Sequence, residues 1–389
     1  MDESLTAGQR SALLQLALRL VDQRHARIAV APYASAEGYW FGGGNMIEGA
    51  QGELYLVGRF RNAGDSRTGL AAGERGLELA VFVSRDRGRS FSKLVSLSRG
   101  DLEREGERVV SIEGSSLHLT ERGVELYVST EKGEPYPAGF ERFQKPGTGV
   151  WSIDLLRAAT VEELAGAASE PLLRGSGPES LHVKDPVVRS ASSGETALVF
   201  CHHPYSWSSS NAGVALRSAG SVSYSPPCYS LFPRGLTWDV AVSRITDFLA
   251  VPRAGLFAAG PECTLVFYDG AECVRQHPDN PLGVARPRGY SCEELGGLAF
   301  GLGSGFGGIA DASPGAPAAL ERLSTFEPLF LSPYGSGSSR YVHLTAVEEG
   351  IFATWQQSQA DRSQPLVINF LPRSTVEAIL GGGRRRSNP

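Results

Sequence analysis

Five times along this chain a short strand-forming segment is followed by a polar or glycine-containing turn and then by a more apolar second segment. The pairs are Asn45–Ile47 with Leu54–Arg61, Val109–Glu113 with Glu125–Ser129, Val183–Val188 with Thr196–Cys201, Ser243–Val251 with Thr264–Tyr268, and Tyr341–Val347 with Ile351–Gln356. Gly, Ser and Pro clusters separate them, as turns require. A two-stranded unit of this kind cannot bury both faces by itself, but repeated units cover one another. The looser stretch after each pair then supplies outer strands, and the chain reads as an all-β, β-propeller fold with five blades. A six-bladed, sialidase-like ring is the alternative count; a jelly roll or two-sheet sandwich explains the long insertions between units less well. Ala26–Val30 is expected to pair with the strand near Pro365–Phe370 and close the ring.

Residues 6–23 place Leu13, Leu14, Leu16, Ala17, Leu18, Leu20 and Val21 at the spacing of an amphipathic helix. The expected division is a helix in 1–24 packed on the ring, a single propeller domain over 25–380, and a disordered tail over 381–389. All-β rings often run to 389 residues as one unit, and 47 glycines and 23 prolines favour many turns. A formal net charge of −5 makes no field that attracts nucleic acid, and no apolar run is long enough to cross a bilayer. The five cysteines, Cys201, Cys228, Cys263, Cys273 and Cys292, are odd in number and lack a Cys-x-x-Cys pair. A soluble, reduced, cytoplasmic setting is therefore expected, with export only if a signal peptide precedes this sequence; a Cys263–Cys273 disulfide belongs to that second case. Neither a metal nor a cofactor is expected, and the oligomeric state stays open.

The stretch Ser84-Arg85-Asp86-Arg87-Gly88-Arg89-Ser90-Phe91 lies between two strand-like runs. Ser84 and Asp86 can fold their side-chain oxygens onto backbone N–H groups, Gly88 can take positive φ, and Phe91 can anchor the outgoing strand. Its spacing resembles the Asp-box hairpin of sialidases and related propellers. The resemblance implies a fold, with the box on the outer edge of the first blade and away from the channel.

Innermost propeller strands start at the central channel, so acidic residues there converge from different blades. Glu113, Asp185 and Asp247 lie in such strands. Lys184-Asp185-Pro186 resembles the Arg-Asp-Pro motif of the invertase/levansucrase and arabinanase/xylosidase clan of five-bladed glycosidases. That resemblance implies a carbohydrate substrate and a role for Asp185 in supporting it or tuning the acid. The clan usually carries an Asp base on the first blade, whereas Gly42-Gly43-Gly44-Asn45-Met46 offers Asn45, leaving Glu48 or Asp65 as substitutes. Glycoside cleavage needs one carboxylic acid and one carboxylate. Glu113 or Asp247 is expected as base or nucleophile, and Glu294, in the loop sequence Ser291-Cys292-Glu293-Glu294-Leu295, as acid.

Arg59 and Arg61 alternate along one strand and so share a face; with Arg244 they can grip polar substituents or a carboxylate. This cluster resembles the arginine triad of sialidases, which implies Tyr341, beside Arg340, as a nucleophile and a sialidase-like or uronate-directed hydrolase or lyase as the alternative function. His203 and His343 are expected to hydrogen-bond substrate, since no His-x-x-x-His spacing marks a metal site. Trp207 and Tyr290, in loops, offer flat surfaces for sugars. The insertions 131–148, 204–235, 271–294 and 303–325 are expected to crowd one end of the channel. A non-catalytic propeller that binds a glycan or a protein is the third reading.

Overall fold

The computed structural model describes residues 4–61, 76–274, 288–290, 292–313 and 315–382. Among these, the strands form five antiparallel sheets in chain order. The first strand, β1 (Arg27–Val30), belongs to the last blade. Blade I holds β2 (Trp40–Gly42), β3 (Met46–Glu48), β4 (Leu54–Arg61), β5 (Glu78–Ser84) and β6 (Ser92–Ser98). Blade II is β7 (Val109–Thr120), β8 (Gly123–Lys132), β9 (Val150–Ala158) and β10 (Glu170–Leu173); blade III is β11 (His182–Ser190), β12 (Thr196–His203), β13 (Asn211–Arg217) and β14 (Cys228–Phe232). Blade IV is β15 (Val242–Ala250), β16 (Cys263–Ala271), β17 (Leu295–Leu302) and β18 (Leu320–Arg322), and blade V is β19 (Ser339–Val347), β20 (Gly350–Gln357) and β21 (Leu366–Pro372). Strand β1 completes blade V by pairing with β21, Arg27 opposite Ile368 and Ile28 opposite Val367. The ring closes where the sequence indicated.

Each blade buries itself against its neighbours, and the apolar core is divided accordingly. Val57 and Leu79 meet Leu117 and Leu126 between blades I and II; Tyr127 and Ile153 meet Val183 and Phe200 between II and III. Val199 and Phe232 meet Val266 and Tyr268 between III and IV, Phe267 and Leu298 meet Val342 and Trp355 between IV and V, and Phe352 and Ile368 meet Phe41 and Leu56 between V and I. Five junctions close the circle, so the six-bladed alternative is excluded.

The N-terminal helix spans Ala7–Leu20, capped by Thr6, whose hydroxyl accepts from the N–H of Gln9. It fills the outer wedge between blades IV and V with Leu13, Leu16, Ala17 and Leu20 fully buried. One end is tied down by Gln9 Nε2 donating to the Leu256 carbonyl (2.9 Å), and the segment after the helix by Gln23 Nε2 donating to Ser339 Oγ (2.7 Å). Cys263 and Cys273 are both free thiols, which corrects the disulfide alternative. Residues 383–389 of the expected tail, and Asp65, lie outside the described residues.

The turn joining β5 to β6 is held by its own side chains. Gly88 N–H donates to Ser84 Oγ (2.8 Å), Ser90 N–H donates to Asp86 Oδ1 (2.9 Å), and Gly88 has φ 75°. It joins the two outer strands of blade I, away from the channel axis.

Strands alternate in direction, so the links from second to third strand emerge at the end where the inner strands begin. The insertions after β8, β12 and β16 therefore share that end. The β13–β14 link within 204–235, and the β17–β18 link within 303–325, emerge at the opposite end, so the insertions do not all crowd one mouth.

Candidate active site

Each inner strand breaks register near its start. The irregularity falls between Ile112 and Ser115 in β7, Lys184 and Val187 in β11, Ile245 and Asp247 in β15, and Arg340 and His343 in β19. In blade I, residues Gly43–Asn45 interrupt the inner edge between β2 and β3. A bulge inserts an unpaired residue and re-aims its side chain. Four bulges, with the Gly43–Asn45 break in blade I, thus bring Glu113, Asp185, Thr246 and Tyr341 to a common neck beside Gly43. Asp185 (φ 57°) and Tyr341 (φ 55°) hold left-handed backbone, which costs a non-glycine residue about 1–2 kcal/mol and persists where surroundings enforce it. Here the enforcers are visible. Asp185 N–H donates to Ser129 Oγ (2.7 Å), and Tyr341 N–H donates to both oxygens of Asp269 (3.2 and 3.1 Å).

Charges of both signs surround the neck. Arg59 donates to Glu113 Oε2 through Nε (2.8 Å) and Nη2 (2.6 Å). Arg244 donates to Asp185 Oδ2 (3.0 Å) and Asp269 Oδ2 (2.7 Å) and lies 3.2 Å from Glu294 Oε1, while Arg340 donates to Glu294 Oε2 (2.8 Å). The three guanidinium groups lie 5.9, 4.2 and 5.3 Å from the Tyr341 ring centre, and the Tyr341 hydroxyl donates to Asp185 Oδ1 (3.4 Å). Lys184 Nζ is 3.9 Å from Asp185 Oδ2.

These neighbours decide the protonation states. Burial pushes the Glu113 carboxyl up, but Arg59, Lys184 and Arg61 outweigh it and hold the group well below the usual range. Glu294 is likewise driven up by burial and pulled down further by Arg244 and Arg340, to about 2. Asp269 goes the other way: burial, with nearby Glu294, lifts it to about 6 despite Arg244. The Tyr341 phenol is pushed well above its ordinary value by burial, with Asp185 adding to the rise while Arg244 and Arg59 oppose it.

Of the residues expected from sequence, the structure brings together Glu113, Asp185, Glu294, Arg59 and Arg244, and Tyr341 with them. Glu294 is an ionised partner of two arginines, a state that does not suit a proton donor. Asp247 is elsewhere: fully buried, it accepts from Arg189 Nε (2.8 Å) and from the Leu344 N–H (2.6 Å), so it ties blade III to blade V. Arg61 packs over the Trp40 ring at 4.3 Å, with Arg340 over the same ring at 4.5 Å. His343 lines the axial pocket below the neck, 3.4 Å from Asp247 Oδ2, and burial lowers its pKa to about 3. His203 is buried behind the wall, its Nδ1 2.9 Å from the Ser209 carbonyl and its Nε2 3.3 Å from Cys201 Sγ. Trp207 borders the mouth with Lys184 Nζ 5.6 Å from its ring, but His182 stacks on the ring at 4.1 Å and its Nε1 donates to Tyr136 Oη (2.9 Å). Tyr290 lies on the β16–β17 link, bridged to Cys273.

Asn45 faces the neighbouring blade. Its amide donates to the Leu117 carbonyl (2.8 Å) and accepts from the Leu117 N–H (2.7 Å), an exchange that mimics a strand pair. Glu48 pairs with Arg87 at 2.9 Å on the surface, far from the neck. Asp269 escaped the sequence reading because it ends the apolar run Leu265-Val266-Phe267-Tyr268; a lone carboxylate closing a fully buried strand is the signal that marks it.

Solved structures with similar folds are glycoside hydrolases. One described as a glycoside hydrolase matches 94% of this chain and 96% of its own, with a TM-score of 0.59 and 12% identity. A thermostable family-43 glycoside hydrolase matches 87% of this chain and 91% of its own (TM-score 0.53, 12% identity), and an α-L-arabinofuranosidase from Lactobacillus brevis 88% and 92% (TM-score 0.53, 10% identity). The shared feature is the five-bladed ring. No protein-family model matches the chain, and no curated protein does.

Proposed function

We propose that this chain is a glycoside hydrolase acting on a carbohydrate at the neck of its central channel. The observation that carries the reading is the convergence of Glu113, Asp185 and Tyr341 from bulged inner strands, two of them in strained backbone, in a ring shared with glycoside hydrolases. Glu113, whose side chain is 13% exposed, is more open than Asp185 at 4% or Glu294 at 3% and is held ionised; it serves as base or nucleophile. Asp185 orients the substrate through its contacts with Tyr341 and Arg244. Glu294 fixes Arg340 and Arg244 and does not donate the proton, which the leaving oxygen takes from solvent water at the mouth.

A second reading, a sialidase-like or uronate-directed hydrolase, is favoured by one specific feature. Arg59 Nη1 and Arg244 Nε are buried beside Tyr341 without a hydrogen-bond partner, and a substrate carboxylate would satisfy them. Tyr341 is then the nucleophile and Asp185 accepts its proton. Aryl glycosides of neutral pentoses and hexoses, of uronic acids and of sialic acid separate the two readings. Glu113→Gln and Asp185→Asn are each expected to lower kcat/KM by about 100-fold or more on whichever class is cleaved. Turnover unchanged in both variants sinks the assignment, and no turnover of any class by the wild type leaves a binding protein.

A further inference from the structure

Among the carboxylates at the neck, Asp269 has no task in either reading. It sits on β16, the second strand of blade IV, with no exposure to solvent. Both its oxygens accept from the Tyr341 N–H, and Oδ2 also accepts from Arg244 Nη2 at 2.7 Å. Tyr341 adopts φ 55° at a bulge, where its N–H is turned out of the β19–β20 ladder. A buried N–H that leaves its ladder needs another acceptor, and Asp269 supplies it across the junction between blades IV and V. The same carboxylate fixes the guanidinium that holds Asp185 Oδ2. One side chain therefore sets the positions of both members of the Tyr341–Asp185 pair.

We infer that Asp269 is a positioning residue whose ionised form holds Tyr341 and Arg244 in the working geometry. This rests on the hydrolase reading of the neck. The groups facing Asp269 are Arg244 on β15, Glu294 ahead of β17, and Tyr341 with Arg340 on β19. Of these, Arg244 and Arg340 stay charged, Glu294 ionises near 2, and Tyr341 stays a phenol. Only Asp269 changes state near pH 6. Above that pH it is a carboxylate that pairs with Arg244; below it the charge is lost and one of its two acceptor oxygens carries a proton.

The test uses the full chain, with kcat and KM measured from pH 4.5 to 8 for the wild type and for Asp269→Asn. The wild type is expected to lose kcat on the acid side of pH 6. Asp269→Asn is expected to lose that limb and to run at a uniformly low kcat, down about 10- to 100-fold, with KM changed far less. A variant that keeps both the wild-type kcat and the acid limb overturns the inference. A second readout needs neither activity nor the variant: carboxyl and amide chemical shifts of the isotope-labelled wild type, titrated over the same range. The Tyr341 amide is expected to shift with the midpoint of the Asp269 carboxyl near 6. An Asp269 carboxyl that stays ionised to pH 4.5, or titrates without moving the Tyr341 amide, overturns it. Failure to cleave any glycoside, with the coupled titration intact, instead removes the hydrolase reading and leaves Asp269 as the group that sets the Tyr341 bulge.

Discussion

Asn45 illustrates how a single side chain can look catalytic by position and be structural by contact. Its amide presents one donor and one acceptor to the backbone of Leu117, and both are used. Asn45→Asp is therefore expected to give no new base. It would set a carboxylate oxygen against the Leu117 carbonyl and cost about 1–3 kcal/mol, the usual result of leaving a buried polar group unpaired. Urea unfolding and kcat/KM check the two halves; a gain in activity without loss of stability contradicts them. Asp185, Glu113 and Arg244 were legible from sequence because they lie near the start of inner strands, and Arg59 because it lies near the end of β4, which runs back to the same end of the ring. Asp247 was misplaced for the complementary reason. The bulge at Thr246 adds one residue to β15, and a slip of one reverses which face a strand residue occupies. No spacing rule reveals a bulge, so Asp247 points into the wall toward Arg189.

At the scale of strands, the five pairs named from sequence are the five inner hairpins, and the recurring order of strand, polar or glycine-containing turn and more apolar strand was enough to find them. What the pattern omits is how closely inner strands approach at the neck. Gly114 shows the demand: a Cβ there would come within 2.5 Å of Asp185 Oδ1 and 2.8 Å of its Cα. The second contact is with backbone and cannot be relieved by a rotamer change. Gly114→Ala is expected to push β7 and β11 apart, dislodge Asp185 from the Gly114 N–H, and cost about 1–3 kcal/mol as overpacking does. In the proposed reaction kcat/KM should fall in parallel, whereas Gly166→Ala, in open surroundings and without positive φ, should leave kcat/KM unchanged. Equal activity in the two variants would mean that the neck tolerates separation of the strands. The insertions follow the same logic. Their length was visible, but which end of the ring they occupy depends on strand parity, which is why the β17–β18 link within 303–325 was assigned to the wrong mouth.

At the scale of the molecule, a ring of five blades is held by five junctions, and blade V draws on both ends of the described chain. Blade V takes its outer strand, β1, from before blade I, and the helix ahead of it plugs the wedge between blades IV and V. The two elements contribute differently. Leu16 is fully buried beside the IV–V core, so Leu16→Ala is expected to cost about 2–5 kcal/mol, read as a lower urea midpoint with an unchanged slope. Activity should persist because the helix packs on the outer rim. Deleting residues 4–30 removes more than area. It leaves β21 an unpaired edge carrying Leu366 and Ile368, uncovers Leu265, Trp355 and Leu371, and opens the ring at the blade V latch. The truncated chain is expected to aggregate or to lose its cooperative thermal transition, since each blade depends on neighbours on both sides. Retention of the full-length Tm after deletion would show that β1 is an ornament on a ring already closed by the inner strands.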